Sequence, residues 1–97
     1  MAVIISPNIA AKLSAKHDVG PKDVHECLAN RCSPEIEETR GLHATDPPTM
    51  WFIARNNKRR ILKVVLVHRH GHVFIKTAYE PNEDELNLFR QHGGVID

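Results

Sequence analysis

The side chains best suited to moving a proton or meeting an anion are His17, Lys63, His68, Lys76 and Tyr79. Histidine and tyrosine serve as general acids and bases, and lysine joins them when its surroundings allow. Lysine and arginine held rigidly also stabilise negative charge as it develops. Arg55, Lys58, Arg59, Arg60 and Arg69 surround these residues, and no acidic residue interrupts the chain between Asp46 and Glu80. Residues of these types suit an anionic substrate or partner. Salt should weaken its binding steeply if that partner is a nucleic acid.

Most of the candidates fall within Arg60 to Pro81, RILKVVLVHRHGHVFIKTAYEP, and that stretch must position them. Ile61 to Val67 and Val73 to Tyr79 are rich in β-branched and aliphatic residues, so each reads as a strand. His70-Gly71 between them suits a tight hairpin turn, because glycine tolerates positive φ. Simple alternation from that turn pairs Leu62 with Tyr79, Val64 with Thr77, Leu66 with Ile75 and His68 with Val73. It groups Ile61, Lys63, Val65, Val67, Phe74, Lys76 and Ala78 on the other face. Lys63 and Lys76 are then diagonal neighbours, and Tyr79 faces away from them unless a bulge or twist near Glu80-Pro81 turns it.

The elements around this hairpin are capped in the sequence. Ser6-Pro7 starts a helix that carries Ile9 and Leu13 and ends near His17-Asp18. Pro21 opens a second helix with Val24, Cys27 and Leu28 on one stripe, stopping by Ser33-Pro34. A tight connection predicts an antiparallel helix pair. A short edge strand is expected near Gly41 to Thr45. Thr49 to Arg55 reads as a strand, turned back by Asn56-Asn57-Lys58-Arg59. A two-residue turn there would set Trp51 and Ile53 on the face of Leu62 and Val64, and Phe52 and Ala54 on that of Lys63. Asn82 with Glu85 forms a capping box for a last helix ending at Gly93-Gly94. The predicted fold is α+β, with two N-terminal helices packed on a three- to four-stranded antiparallel meander sheet and a C-terminal helix.

Ninety-seven residues suit one domain spanning 1–97, and a formal net charge of +1 names no partner by itself. Cys27 and Cys32 lie on different sides of a helix, which argues against an internal disulfide or a CxxC site. Met1 to Ile5 is too short for a secretory apolar region, and no apolar run approaches a membrane span. A reducing, cytoplasmic setting is the expectation.

The elements in this order, with four local pieces, resemble the BrnT-like toxins of bacterial type II toxin–antitoxin pairs, within the wider RelE-like ribonuclease fold. The pieces are Lys12-Leu13 through Lys16-His17-Asp18-Val19, Asp23-Val24 through Leu28-Ala29-Asn30, Arg59-Arg60-Ile61-Leu62, and Ile75-Lys76-Thr77-Ala78-Tyr79. Family members commonly carry arginine where this chain has Tyr79, and an acidic or small residue where it has His68-Arg69-His70. The resemblance implies a small RNA-cleaving toxin, neutralised by a cognate antitoxin protein and working without a metal or other cofactor. Such cleavage uses the 2′-hydroxyl of RNA as nucleophile, so the protein supplies a base, an acid and cations for the phosphorane. Lys63, Lys76, Tyr79, His17 and His68 are the candidate catalytic residues, and Arg55, Lys58, Arg59, Arg60 and Arg69 the candidate RNA contacts.

Each candidate also has a purely architectural reading. Tyr79 suits an apolar face with its hydroxyl at the rim, and the lysines suit a solvated face. His17 suits a helix C-terminus. His68, His70 and His72 are spaced for a metal, although the Gly71 turn breaks their alternation. The alternative function is a non-catalytic module whose basic sheet binds nucleic acid or an acidic protein.

Overall fold

A computed structural model describes residues 2–39 and 46–97. The element order is β1 (Val3–Ile4), α1 (Pro7–His17), α2 (Pro21–Asn30), β2 (Ile36–Glu37), β3 (Thr49–Arg55), β4 (Ile61–Arg69), β5 (His72–Tyr79) and α3 (Glu83–Gln91). The fold is α+β, with a five-stranded sheet in the order β1-β5-β4-β3-β2. Strands β2 to β5 pair antiparallel in chain order, and β4 is the middle strand of the five, but the expected all-antiparallel sheet of three to four strands is not what forms. The sheet as a whole is mixed, because β1 runs parallel to β5 through Val3 opposite Val73 and Ile4 opposite Phe74. Two residues are too few for alternation to mark β1 in the sequence. The strand expected at Gly41 to Thr45 lies outside the described residues; β2 pairs Ile36 with Trp51 and Glu37 with Met50.

The helix starts follow their caps. Ser6 Oγ accepts from the Ile9 N–H at 3.2 Å, with Pro7 at the first helical position. Asp23 accepts from the Gly20 N–H at 2.9 Å. Asn82 and Glu85 cap each other reciprocally, at 2.8 and 3.0 Å. The two N-terminal helices rest on different strands, α1 on β5 and α2 on β3 and β4. Their main support is therefore the sheet and not each other, unlike the predicted helix pair.

Two local events fix which side chains share a face. The first is the β3–β4 loop. Arg55 pairs with Ile61, and the Asn56 N–H donates to the Arg60 carbonyl at 2.9 Å, so three residues turn the chain rather than two. Arg59 supplies the left-handed position at φ 69°. Asn56 Oδ1 braces the loop, accepting from the Lys58 and Arg60 N–H groups at 3.0 and 2.9 Å. An odd-length turn reverses the parity. Trp51 and Ile53 therefore lie on the face of Lys63, and Phe52 and Ala54 on that of Leu62, the reverse of the predicted grouping.

The second event is a bulge in β5. Near the His70-Gly71 turn the pairing is the predicted one, with His68 opposite Val73 and Leu66 opposite Ile75. Then Val65 pairs with Thr77, so Lys76 has no opposite residue and the register slips by one. A one-residue slip moves every later side chain to the other face. Ala78 comes to lie opposite Val64 and is fully buried, while Tyr79 comes to lie opposite Lys63.

Both faces are covered. Phe52, Ala54, Leu62, Val64 and Leu66 form one buried layer beneath α2, whose C-terminal Arg31 lies over the Phe52 ring at 5.3 Å. On the other face Trp51 meets Phe89 of α3 at 5.8 Å between ring centroids. Gly94 ends this region against Phe89: a Cβ there would fall 2.4 Å from the ring.

Candidate functional site

Lys63 is the one charged residue in the apolar run of β4, and it is 2% exposed. Burying an ammonium costs several kcal/mol unless it is paired. Its partner is Glu85 of α3, whose Oε2 lies 2.7 Å from Lys63 Nζ, with Glu38 Oε2 further off at 4.0 Å. The ammonium also sits 4.5 Å from the Trp51 ring centroid and 5.6 Å from that of Tyr79, in cation–π contact.

The Tyr79 hydroxyl donates to the same Glu85 oxygen at 2.7 Å. Glu85 thus divides its work. Oε1 accepts from the Asn82 N–H and closes the capping box, while Oε2 takes Lys63 and Tyr79. Burial alone would raise its pKa. The hydrogen bonds from Lys63, the Asn82 backbone and Tyr79, with the Lys63 charge, outweigh that and hold the carboxyl below its ordinary value. Glu85 therefore stays ionised at neutral pH.

Tyr79 is half-buried, and its ring meets His17 at 5.6 Å between centroids. His17 ends α1, and Arg60 fixes it there. The Arg60 guanidinium donates to the His17 carbonyl at 2.7 Å and the Asp18 carbonyl at 2.5 Å, while Nε pairs with Glu80 at 2.8 Å. These donors satisfy carbonyls at a helix end that otherwise lack partners. His17, Arg60 and Tyr79, with Ser14, Lys16 and Glu80, line a cleft of about 550 Å³.

The remaining candidates do not join this cluster. Lys76, aimed outward by the bulge, is exposed and lines a narrower groove with Lys12, Lys16 and His17. Arg55 ends β3 and Lys58 and Arg59 lie in the loop after it, a corner that α2 holds through Asn30, Glu26 and Asp23. Arg55 Nη1 donates to the Arg59 carbonyl at 2.9 Å. His68 and Arg69 lie at the opposite end of β4. At about 3.3 Å per residue, Arg69 is about 20 Å along the strand from Lys63. His68 Nε2 is 2.6 Å from Glu35, which also pairs with Arg31 at 2.8 Å. The basic stretch of sequence is therefore split between two ends of the sheet.

Among the described residues, no group of three or more His, Cys, Asp or Glu side chains is arranged to hold a metal ion. No helix among them is long and apolar enough to cross a membrane. Sequence reasoning took Glu85 only as a capping residue. The signal for its second role was the lysine in the middle of an apolar strand, which requires a buried carboxylate. No family model matches this chain, and none of the curated proteins matches its sequence.

Proposed function

We propose that this chain is a metal-independent endoribonuclease, the toxin half of a toxin–antitoxin pair, acting in the cleft where His17 meets Tyr79. The observation that carries the reading is the orientation of the Tyr79 hydroxyl. Its proton is directed at ionised Glu85, so the phenol oxygen can serve as the acceptor for a substrate hydroxyl. Tyr79 then takes up the 2′-hydroxyl proton as its own shifts toward Glu85. His17, beside it, delivers a proton to the leaving 5′-oxygen. Lys16 and Arg60 on the cleft wall meet the phosphorane charge. Lys63 acts as a positioning residue, because it is buried and reaches the substrate only through Glu85 and Tyr79. The antitoxin partner follows from the family resemblance.

A second reading has one observation in its favour: Lys63, Glu85 and Tyr79 already satisfy one another inside the fold. On that reading the triad is architectural and the chain is a non-catalytic module that binds RNA or an acidic protein. Expression of wild type, Tyr79→Phe and His17→Gln in bacteria, with growth and RNA integrity followed, separates the two. The ribonuclease reading expects wild type to stop growth and degrade RNA, with each variant weakened by about two to four orders of magnitude in rate. Harmless wild type with intact RNA refutes it.

A further inference from the structure

The bulge at Lys76 has a second consequence, on the outer side of β5. It leaves Lys76 without a cross-strand partner and turns it toward α1. There Lys12 and Lys16 stand one helical turn apart, about 6 Å along the axis. The three lysines, with Ile9, Leu13 and His17, line a groove of about 230 Å³ that no carboxylate borders. All three are exposed, and among the described residues none has an ion-pair partner. Arg31, Arg60 and Lys63, by contrast, are each committed to a glutamate. Lys16 and His17 also border the larger cleft that holds Tyr79, so groove and cleft adjoin.

We propose that this furrow between α1 and β5 is a phosphate track, in which Lys12, Lys16 and Lys76 bind the backbone of single-stranded RNA leading to His17 and Tyr79. The inference rests on the reading of that cleft as a ribonuclease site and adds the path of its substrate. Three unpaired ammonium groups on one side of a groove suit consecutive phosphates, because lysine engages phosphate as a compact, mobile charge. Ile9 and Leu13 in the lining offer no donors to bases and Thr77 adds a single hydroxyl, so the track reads mainly backbone. An acidic protein is less well matched, since a small groove lined by three lysines favours a closely spaced polyanion.

The test uses a fluorescent 2′-O-methyl RNA oligonucleotide, which cannot react, and anisotropy across a range of KCl. Lys12→Gln/Lys16→Gln/Lys76→Gln is compared with the charge-matched Lys22→Gln/Arg69→Gln/Arg90→Gln. Each lost phosphate contact should reduce the salt slope by about 0.7, hence by about 2 for the furrow variant, with little change in the control. On cleavable RNA Lys12→Gln/Lys76→Gln, which spares Lys16, should raise KM and keep kcat within about twofold. Equal slopes for the two variants, or no binding by wild type at low salt, overturn the track. Tighter wild-type binding to polyglutamate than to RNA of equal charge also overturns it and assigns the furrow to an acidic protein. A reduced slope for the furrow variant, together with a wild type that leaves RNA intact, would keep the track and remove the ribonuclease reading.

Discussion

Replacing Lys63 with methionine keeps the aliphatic stem and removes the charge. The Glu85 carboxylate, 8% exposed, would keep the Tyr79 hydroxyl and the Asn82 N–H but lose its only close cation. Removing one partner of a buried pair costs about 3–5 kcal/mol. The two surviving donors place the cost near the lower end, about 3 kcal/mol, or roughly 12–24 °C in Tm for a domain of this size. Lys63→Met/Glu85→Gln should recover more than half of that, because no unpaired charge remains. Acid gives an independent check. The folded pKa of Glu85 lies below its ordinary value of 4.5, so the folded state binds fewer protons than the unfolded state in that window. The stability it contributes is present above pH 4.5 and is lost as pH falls through the folded pKa. The Tm gap between wild type and Lys63→Met should therefore narrow below pH 4.5. Thermal melts by circular dichroism from pH 3 to pH 7 measure both effects. A Lys63→Met protein melting within about 3 °C of wild type, well under the shift a 1 kcal/mol loss would cause, refutes the buried pair.

The two thiols should differ sharply. Cys27 is fully buried, and burial, with Asp23 and Glu26 nearby, raises its pKa to about 12. Cys32 is exposed, so one thiol should react with an aromatic disulfide reagent in the native protein and the second only on unfolding. Gly94→Ala should cost about 1–3 kcal/mol in a urea melt, because its Cβ would meet the Phe89 ring. Tyr79→Phe should lower stability by about 1.5–3 kcal/mol, the range for a hydrogen bond to a charged group, whatever it does to activity.

The helices were legible because their caps are written locally: Ser6-Pro7, Pro21 and Asn82 with Glu85 each name a start. The β4–β5 hairpin was legible for the same reason, since His70 and Gly71 take the positive φ that a two-residue turn requires. What escaped was parity. A three-residue loop at Asn57–Arg59 and an unpaired Lys76 each add one residue, and each flips a face. No glycine marks the bulge in Ile75-Lys76-Thr77, and Asn57-Lys58 reads as readily as a two-residue turn. Alternation alone therefore separated Tyr79 from Lys63, where the fold brings them together. The charge run from Arg55 to Lys76 misled differently. Proximity in sequence along antiparallel strands spreads residues over both ends of a sheet, so His68 and Arg69 lie far from Arg60.

The central claim is that RNA is cut through its own 2′-hydroxyl in the cleft of His17 and Tyr79. Purified protein should be incubated with a 5′-labelled RNA and with the same sequence in 2′-deoxy form. The wild type is predicted to cut the RNA, leaving a 2′,3′-cyclic phosphate at the new end, and to leave the deoxy strand whole. Tyr79→Phe and His17→Gln are predicted to cut about 10²- to 10⁴-fold more slowly. RNA left intact by the wild type, or equal cutting of both strands, would contradict it.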